Sequence, residues 1–458
     1  MSNNFILNSD TARRLYQNKP SGQKFADPVT ILNVDNIAKN KRYTNITELF
    51  IDSNKKMRKA MRAHGVEEKY ITGDGSDFEK FYMLCQTMPD LIGNFTYIQS
   101  HYALRYYFGC ELKICPKNCE EIWNITAEYM QKNRVTSQSL LDKSGVEFIG
   151  IQTDAVSSLD AFYEISSSDC KTEVYPVFNI KGAIEIEDDK FIAYLKELSC
   201  VSGIEVKDFY TLCDAVSVIM DKFEAAGCRS AIINSFVMPA FVKPDKYHAD
   251  MILKRAINKG SCELSSDEVC QWKAEFIMFI SNELYKRSWS MHYKMYVSSV
   301  LKITLNSGYW RKLNIQKRGV VPQLKLLKYL NSRGHIPKTV VYSDSLDEIM
   351  LAMNPYSPDR IQLLFGVDGK NCSDVNKLKS SINCIARMSS LGNLSAIPSF
   401  SDNILCRSYF DIVERAYFSA VGEWIENSGA PVDDTDVYEI GNKIFYLNSK
   451  MLRNNIGL

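Results

Sequence analysis

Histidine is scarce in this chain of 458 residues. The five histidines are His64, His101, His248, His292 and His335. No two of them stand two or four residues apart, the spacings at which a strand or a helix would present two imidazoles to one metal ion. A metal centre built on histidine would need residues from distant parts of the chain, and the sequence therefore disfavours one.

A surplus of charge of either sign is also absent. Lys and Arg total 55 against 54 Asp and Glu, which gives a formal net charge of +1, and no long basic run occurs. Nucleic acid or an anionic membrane surface normally requires a basic excess, so neither partner is expected. The first ten residues lack the basic and apolar segments of a signal peptide, and no membrane span is evident, so we expect a cytoplasmic protein.

The thirteen cysteines form no CxxC pair and follow no regular spacing. Such a set suits neither a disulfide scaffold nor a zinc ribbon, so we expect reduced thiols that mostly fill the core. Apolar residues make up 45% of the chain and charged residues 24%. This composition predicts a folded protein with a sizeable core, and the length suits one large barrel with added helices.

Short β-rich runs alternate with amphipathic stretches from about Leu140 onward. Such alternation is typical of βαβ units. The candidate strands, including one near the N-terminus, are Pro28–Leu32, Val146–Ile151, Val174–Phe178, Ser230–Ile233, Trp289–Tyr296, Thr339–Tyr342, Ile361–Phe365 and Ala396–Phe400. Eight such strands predict an α/β fold of the closed (β/α)8 type, a TIM barrel.

More than a hundred residues between the first two candidate strands are predicted to be helical. Ser76-x-x-Glu79 has the form of a capping box, and Gly65 is placed to end a helix. A second capping box, Ser265-x-x-Glu268, precedes an apolar helical set. The predicted parts of the chain are residues 1–35, the N-terminal segment with the first barrel strand, 36–135, a helical insertion, and 136–458, the remainder of the barrel with C-terminal helices.

Several sequence blocks are similar to those of one enzyme family. The segments Ile37-Ala-Lys-Asn-Lys-Arg-Tyr43, Lys69-Tyr-Ile-Thr-Gly-Asp74 and, near the C-terminus, Gly422-Glu-Trp-Ile-Glu-Asn427 resemble uronate (glucuronate) isomerases of the amidohydrolase superfamily. With shorter matches, these blocks span most of the chain. The resemblance implies an amidohydrolase-type barrel with a helical insertion after the first strand. It also implies an enzyme that interconverts D-glucuronate with D-fructuronate, or D-galacturonate with D-tagaturonate.

That reaction has chemical requirements. Moving a hydrogen between C1 and C2 needs a base for the carbon-bound proton and a metal ion or proton donor for the enediol oxygens. The substrate carboxylate needs Arg or Lys. The motifs that supply these groups in the family are mostly altered in this chain.

The family's first-strand motif, Asp-Tyr-His-x-His, aligns with Asp27-Pro-Val-Thr-Ile31. Val29 and Ile31 thus stand where the resemblance places metal-binding histidines, and aliphatic side chains cannot coordinate a metal. The motif Gly-Cys-Arg-x-Ser-Asp-His begins at Gly227 but ends in Ile233, so a third ligand position is also apolar. Asp27 survives, either as a remnant ligand or as an ordinary turn residue.

Three further motifs differ from the family pattern. In the fifth-strand motif, Lys294 replaces an imidazole and Ser299 a guanidinium. The run Phe178-Asn-Ile-Lys181 stands where Phe-Arg-Pro-Asp should bring an arginine to the substrate. At the eighth strand, the family's metal-binding Asp corresponds either to Asp402 or, in a register shifted by two residues, to Phe400.

The remaining polar residues define a candidate site. The assigned roles are general base for Asp402 or Lys294, substrate binding for Arg58, Arg62, His101 and Asp154, and remnant metal ligand for Asp27 and Asp402. Each also has an ordinary structural explanation, since an arginine can form an ion pair and a histidine can pack between helices with its hydrogen bonds satisfied. Burial could bring a carboxylate or the lysine toward a neutral pKa.

Three functions stay open. We favour a catalytically degenerate isomerase homologue, a pseudoenzyme, because polar residues are lost from nearly every motif at the barrel mouth while the scaffold blocks remain. The alternatives are an active glucuronate isomerase with a rebuilt site and a non-catalytic uronate-binding protein. A sugar acid is the expected ligand. No cofactor is expected unless a rebuilt site holds a divalent metal such as zinc, and assembly into a homo-oligomer is left open.

Overall fold

A curled sheet of seven parallel strands forms the centre of the computed structural model. The structure describes residues 4–234, 236–260, 263–295, 300–302, 305–306, 309–310, 314–316, 320–334, 336–343, 346, 349–350, 363–367, 374–394, 398–429 and 431–454. The strands are β1 (Phe25–Thr30), β2 (Val146–Asp154), β3 (Glu173–Asn179), β4 (Ser230–Ile233), β5 (Ser290–Lys294), β6 (Val300–Lys302), β7 (Leu305–Asn306), β8 (Tyr309–Trp310), β9 (Asn314–Gln316), β10 (Thr339–Ser343) and β11 (Leu363–Val367).

The sheet has the strand order β1-β2-β3-β4-β5-β10-β11. Apart from β6 to β9, strands that follow one another along the chain are neighbours in the sheet, as repeated βαβ crossovers require. Between β5 and β10, two short antiparallel pairs form apart from the main sheet, β6 with β9 and β7 with β8.

Helices make up most of the rest of the described chain. The α-helices are α1 (Asp10–Gln17), α2 (Val34–Ala38), α3 (Lys55–His64), α4 (Asp77–Thr87), α5 (Phe95–Phe108), α6 (Cys119–Asn133), α7 (Ser137–Ser144), α8 (Asp160–Ser166), α9 (Lys181–Ile184), α10 (Phe191–Ser202), α11 (Phe209–Ala225), α12 (Lys246–Lys259), α13 (Ser266–Lys286), α14 (Val320–Ser332), α15 (Val375–Met388), α16 (Arg407–Ser428), α17 (Asp434–Asn442) and α18 (Asn448–Asn454). The single-turn π-helices are Glu48–Asp52 and Lys443–Leu447, and the short 3-10 helices are Glu68–Tyr70, Met88–Leu91, Pro116–Asn118 and Leu391–Asn393.

Three helix boundaries predicted from the sequence are confirmed. The Ser76 hydroxyl accepts from the Glu79 backbone N–H at 3.3 Å, and the Glu79 carboxylate accepts from the Ser76 N–H at 2.9 Å, which caps α4. Ser265 and Glu268 make the same reciprocal pair at the start of α13. Gly65 ends α3 with a φ of +92°, a conformation that residues with a Cβ rarely adopt.

The region between β1 and β2 is helical. Residues 31–145, all of which the structure describes, contain α2 to α7 and no strand of the sheet. An isolated bridge joins Arg42 to Thr136 near the two ends of this region. The division of the chain at residues 35 and 135 stays a prediction.

The sheet separates two layers of apolar side chains. The inner layer comprises Ala26, Val29, Phe148, Tyr175, Val177, Ile232, Val340, Tyr342, Phe400, Tyr446 and Leu452. The outer layer packs against the helices and contains, among others, Ile149, Phe178, Ile233, Tyr293 and Val341. Neighbouring residues of one strand thus point to opposite layers, as the two-residue period of a strand requires.

The C-terminal segment closes the amino ends of the strands. The Tyr446 hydroxyl donates to Glu147 near the start of β2, and Arg453 forms an ion pair with Glu173 at the start of β3. The Arg453 guanidinium also lies 4.4 Å from the centre of the Tyr175 ring. The carboxyl ends of the strands therefore lie at the opposite end of the sheet, which is where parallel-barrel enzymes place their active sites.

The predicted eighth strand, Ala396–Phe400, is not assigned as a strand in its described part. Two backbone hydrogen bonds nevertheless join this segment to β1: Phe400 N–H donates to the Val29 carbonyl at 3.2 Å, and Ile31 N–H donates to the Ser401 carbonyl at 3.0 Å. Phe400 has a φ of +44°, which a strand does not tolerate. The closed eight-stranded barrel thus stays a prediction.

Several other predicted strand limits differ from the structure. β1 begins at Phe25, three residues before the predicted start, and β5 ends at Lys294. Tyr296, residues 361–362 and residues 396–397 belong to predicted strands but lie outside the described residues. Among the residues that the structure describes, no helix has the length and apolar character needed to cross a bilayer.

Candidate active site

Polar side chains end several strands at the carboxyl face of the sheet. Asp154 ends β2, Asn179 ends β3, Lys294 ends β5 and Ser343 ends β10. Because the strands are parallel, these residues all lie at the carboxyl end of the sheet. This end of the sheet is the candidate active site.

Lys294 is enclosed rather than open to solvent. Only 3% of it is exposed, and its ammonium lies 3.0 Å from the centre of the Phe400 ring. An ammonium held over an aromatic face is stabilised by the ring quadrupole, most strongly when water is excluded. The position for which the resemblance implies an imidazole is thus filled by a buried organic cation.

His292 precedes Lys294 by two residues on the same strand. Its Nδ1 is hydrogen bonded to the Tyr342 hydroxyl at 2.9 Å, and the ring stacks on Tyr342 with 5.9 Å between centroids. Burial and, to a smaller extent, the nearby charge of Lys294 lower the pKa of His292 to about 3. This imidazole is therefore neutral near pH 7, and Tyr342 is a partner that the sequence motifs did not single out.

Apolar residues occupy the centre of the curled sheet. Val29 is fully buried in the inner layer, and Phe400 belongs to the same layer. Ile31 is only partly buried. On β4, Ile232 faces the inner layer, whereas Ile233 lies in the outer layer against the helices. Of the two residues that end the altered β4 motif, Ile232 is therefore the one that faces the interior of the sheet.

Asp27 is a buried carboxyl on β1, with 1% exposed. Its Oδ1 accepts from the Ser399 backbone N–H at 3.0 Å, so it joins β1 to the segment that carries Phe400. Burial, partly offset by hydrogen bonds from Ser399, raises the pKa of Asp27 to about 7. The geometry gives Asp27 a structural contact between two segments of the chain.

Asp402 lies at the N-terminus of α3. Its two carboxylate oxygens accept from the Lys55 backbone N–H at 3.0 and 3.2 Å, and Oδ2 lies 3.7 Å from Nη2 of Arg58. A carboxylate at a helix N-terminus is favoured by the unpaired amides and the helix dipole. The structure therefore brings together Asp402 and Arg58, two of the residues predicted for the site.

Arg58 has further partners within its own region. Its Nη1 donates to the Ile51 carbonyl at 2.8 Å and also to the Asp52 carbonyl. These bonds orient the guanidinium along the turn that precedes α3. Arg62, one turn further along α3, instead donates to Glu68 at 2.8 and 2.6 Å, and 47% of its side chain is exposed.

His101 has both ring nitrogens engaged. Nδ1 is hydrogen bonded to the Tyr97 carbonyl at 2.8 Å, and Nε2 accepts from the Ile114 backbone N–H at 3.0 Å. This arrangement requires the neutral tautomer with the proton on Nδ1. Burial lowers the pKa of His101, in keeping with that neutral state. The contacts are those of a histidine that joins α5 to the segment after it.

Asp154 accepts a hydrogen bond from the Tyr194 hydroxyl at 2.8 Å and one from the Val156 N–H at 3.2 Å. Burial raises its pKa, and the bond from Tyr194 opposes the rise. Tyr194 lies on α10, and no sequence motif pointed to it. Ser299 and His335, which the sequence analysis named, lie outside the described residues.

The side chains that the structure describes at this site do not form a donor set for a divalent metal ion. Within the described ranges, no three His, Cys, Asp or Glu side chains lie close enough together to hold a metal. Asp27 is turned to Ser399 and Asp402 to α3, while Val29 offers no lone pair. The predicted roles of the individual site residues stay predictions.

The chain is similar in sequence to known uronate isomerases. The sequence model described as glucuronate isomerase matches residues 1–452. A uronate isomerase of Brachyspira hyodysenteriae is 28% identical, with 99% of each chain covered. A uronate isomerase of Lachnospira eligens is also 28% identical, over 98% of this chain and 97% of that protein.

Two solved structures share the fold. Uronate isomerase from Thermotoga maritima superposes with a TM-score of 0.86 at 20% identity, covering 99% of each chain. Glucuronate isomerase from Caulobacter crescentus gives the same TM-score at 12% identity, covering 100% of this chain and 98% of that one. Since the sequence match spans nearly the whole length, this chain belongs to the glucuronate isomerase family.

Proposed function

We propose that this protein is a catalytically degenerate member of the glucuronate isomerase family that does not carry out metal-dependent uronate isomerisation. The observation that carries the proposal is the contact between the Lys294 ammonium and the Phe400 ring. A positive charge at this position repels a divalent cation. The aliphatic side chain of Val29, in the same inner layer, supplies no ligand in compensation.

The state of the available carboxylates also supports the proposal. A general base for this reaction must reach a carbon-bound proton of the substrate. Asp402 accepts from the α3 amide and lies beside Arg58, and Asp154 accepts from Tyr194. Each carboxylate therefore already accepts hydrogen bonds from donors within the protein, so neither is left free to face a substrate carbon.

An active isomerase with a rebuilt site is the second candidate, and buried Lys294 is the feature that favours it. A desolvated ammonium can donate a proton or stabilise a developing oxyanion. In that case Lys294 would replace the metal as the group that stabilises the enediol. Sugar-acid binding without turnover is the third candidate, for which Arg58 would supply the cation.

Measuring zinc retention together with turnover separates the degenerate protein from an active isomerase. Purified protein is equilibrated with zinc, freed of excess ion and analysed for metal, then assayed with D-glucuronate and D-galacturonate beside the Brachyspira hyodysenteriae relative. We expect far less than one zinc per chain and no ketose product. Turnover without zinc that Lys294→Met abolishes would support a site rebuilt on Lys294, whereas one retained zinc with turnover would point to a rebuilt metal site and overturn the degenerate protein.

Finer structural features belong to the same proposal. We infer that the segment around Phe400 completes an eight-stranded barrel, supported by its two backbone hydrogen bonds to β1. A cytoplasmic location is in keeping with the cysteines, which are all free thiols wherever the structure describes them. Assembly into a homo-oligomer would be tested by light scattering.

A further inference from the structure

A second group of charged residues lies at the amino end of the sheet, away from the candidate active site. It surrounds a cavity of about 630 Å³ beside the loop of residues 19–23, which connects α1 to β1. Arg407 and Arg415 of α16 line this cavity together with Tyr106 of α5. Arg407 lies over the ring of Phe25, the first residue of β1, at 4.5 Å from its centre.

Two of the three cations at this cavity are neutralised by neighbouring carboxylates. Arg415 Nε donates to Asp411 at 2.5 Å, and Asp411 also accepts from the Tyr16 hydroxyl at 2.5 Å. Lys19 forms an ion pair with Glu414 and lies 3.9 Å from the centre of the Tyr16 ring. Each of these two ion pairs has a net charge of zero.

Arg407 is the third cation, and it has no such partner. Within the portion of the chain that the structure describes, no carboxylate oxygen lies within 4.0 Å of its guanidinium, and its buried Nε makes no hydrogen bond. Asp411 and Glu414 interact with the Arg407 guanidinium electrostatically without an ion-pair contact, and the Tyr102 side chain is hydrogen bonded to it. The cluster as a whole therefore carries one positive charge, located on a partly buried guanidinium at the wall of a cavity.

We propose that this cavity is a binding site for a small organic monoanion, with Arg407 as the group that pairs with its carboxylate. A partly desolvated guanidinium attracts an anion more strongly than an exposed one does, and its planar fork matches a carboxylate. The cavity volume is in the range usual for small-molecule sites. One net positive charge favours a carboxylate over a phosphate dianion.

Isothermal titration of the full-length protein tests this site. The probes are sodium D-glucuronate, sodium acetate, inorganic phosphate and uncharged D-glucose. We expect saturable binding of both carboxylates, weaker binding of phosphate and none of glucose, with affinity that falls as salt rises. Arg407→Gln should weaken carboxylate binding about tenfold or more. Arg255→Gln, the same change at an exposed ion pair on α12, should leave it unaltered.

The titration can also overturn the proposal. Absence of carboxylate binding would overturn it, and so would binding that survives Arg407→Gln. Binding that Arg58→Gln removes would also overturn it, because Arg58 lies at the opposite end of the sheet. If Arg407→Gln fails to fold, the site is tested instead by modifying the arginines of the unaltered protein with phenylglyoxal. D-Glucuronate should then slow modification of Arg407 but not of Arg255, and equal rates would contradict the site. None of these outcomes depends on whether the protein isomerises uronates.

Discussion

The ammonium of Lys294 lies 3.0 Å from the centre of the Phe400 ring, within the curl of the parallel sheet. This contact joins β5 to the segment that is hydrogen bonded to β1. It combines an ammonium with an aromatic face at positions for which the family resemblance implies an imidazole and, in one of the two possible registers, a carboxylate. The chemistry of this centre is therefore that of a packed interior with one internal cation.

Removing that charge should alter the titration of His292. In Lys294→Met, the pKa of His292 should rise above its value of about 3, because the nearby positive charge no longer opposes protonation. It should stay below the usual value of His, since burial is the larger cause. Proton NMR of the imidazole resonances measures this. Lys294→Arg keeps the charge and should leave the pKa low; an unchanged pKa in Lys294→Met would show that the charge does not act on His292.

Asp27 should make stability depend on pH. Its folded-state pKa of about 7 lies above the ordinary value of 3.8, so the folded protein holds the proton more tightly than the unfolded chain. The contribution of Asp27 to folding is then most favourable below about pH 4 and is lost as pH rises toward 7. In Asp27→Asn, which keeps the acceptor for Ser399, this loss should be absent.

Denaturant unfolding at several pH values measures the effect of Asp27. The variant and the unaltered protein should have similar free energies of unfolding near pH 4. Near pH 8, Asp27→Asn should be the more stable by up to about 4 kcal/mol. Parallel pH profiles for the two proteins would contradict the assignment.

Asp402 should contribute to the stability of α3. Asp402→Asn removes the charge at the helix N-terminus and beside Arg58, and we expect a loss of about 0.5–1 kcal/mol in the free energy of unfolding. Arg62→Gln, which breaks an exposed pair on the same helix, should change stability less than Asp402→Asn does. Urea unfolding compares the two variants, and an Asp402→Asn protein as stable as the unaltered one would argue against this role.

Restoring two histidines should not restore a metal site. The double variant Val29→His with Ile31→His places imidazoles at the first-strand positions, but Lys294 and Phe400 remain in place. We expect lower stability, because a polar ring replaces a fully buried Val29. Zinc retention should stay far below one equivalent per chain, measured by elemental analysis. One equivalent of zinc in this variant would mean that further donors are available.

Local signals in the sequence were sufficient for the helix ends. The capping box of Ser76 and Glu79 and the terminating Gly65 depend on residues within a few positions of each other, and the structure contains them as predicted. The alternation of strands and helices also predicted most of the sheet, because the period of apolar residues is a local property.

Contacts between distant segments could not be predicted in this way. The register of the Phe400 segment depends on backbone hydrogen bonds to β1, about 370 residues away, so the sequence left Phe400 and Asp402 as alternatives. The structure places Phe400 in the inner layer and Asp402 at α3. The partnership of Asp154 with Tyr194 is likewise tertiary, and no spacing in the sequence indicates it.

Conversion of D-glucuronate in the presence of added zinc, followed by proton NMR over a day at high protein concentration, tests the central claim most directly. The internal cation and the buried Val29 predict that the D-glucuronate spectrum stays unchanged, while the Brachyspira hyodysenteriae relative serves as the positive control. Accumulation of D-fructuronate at a rate proportional to the concentration of this protein would contradict the account.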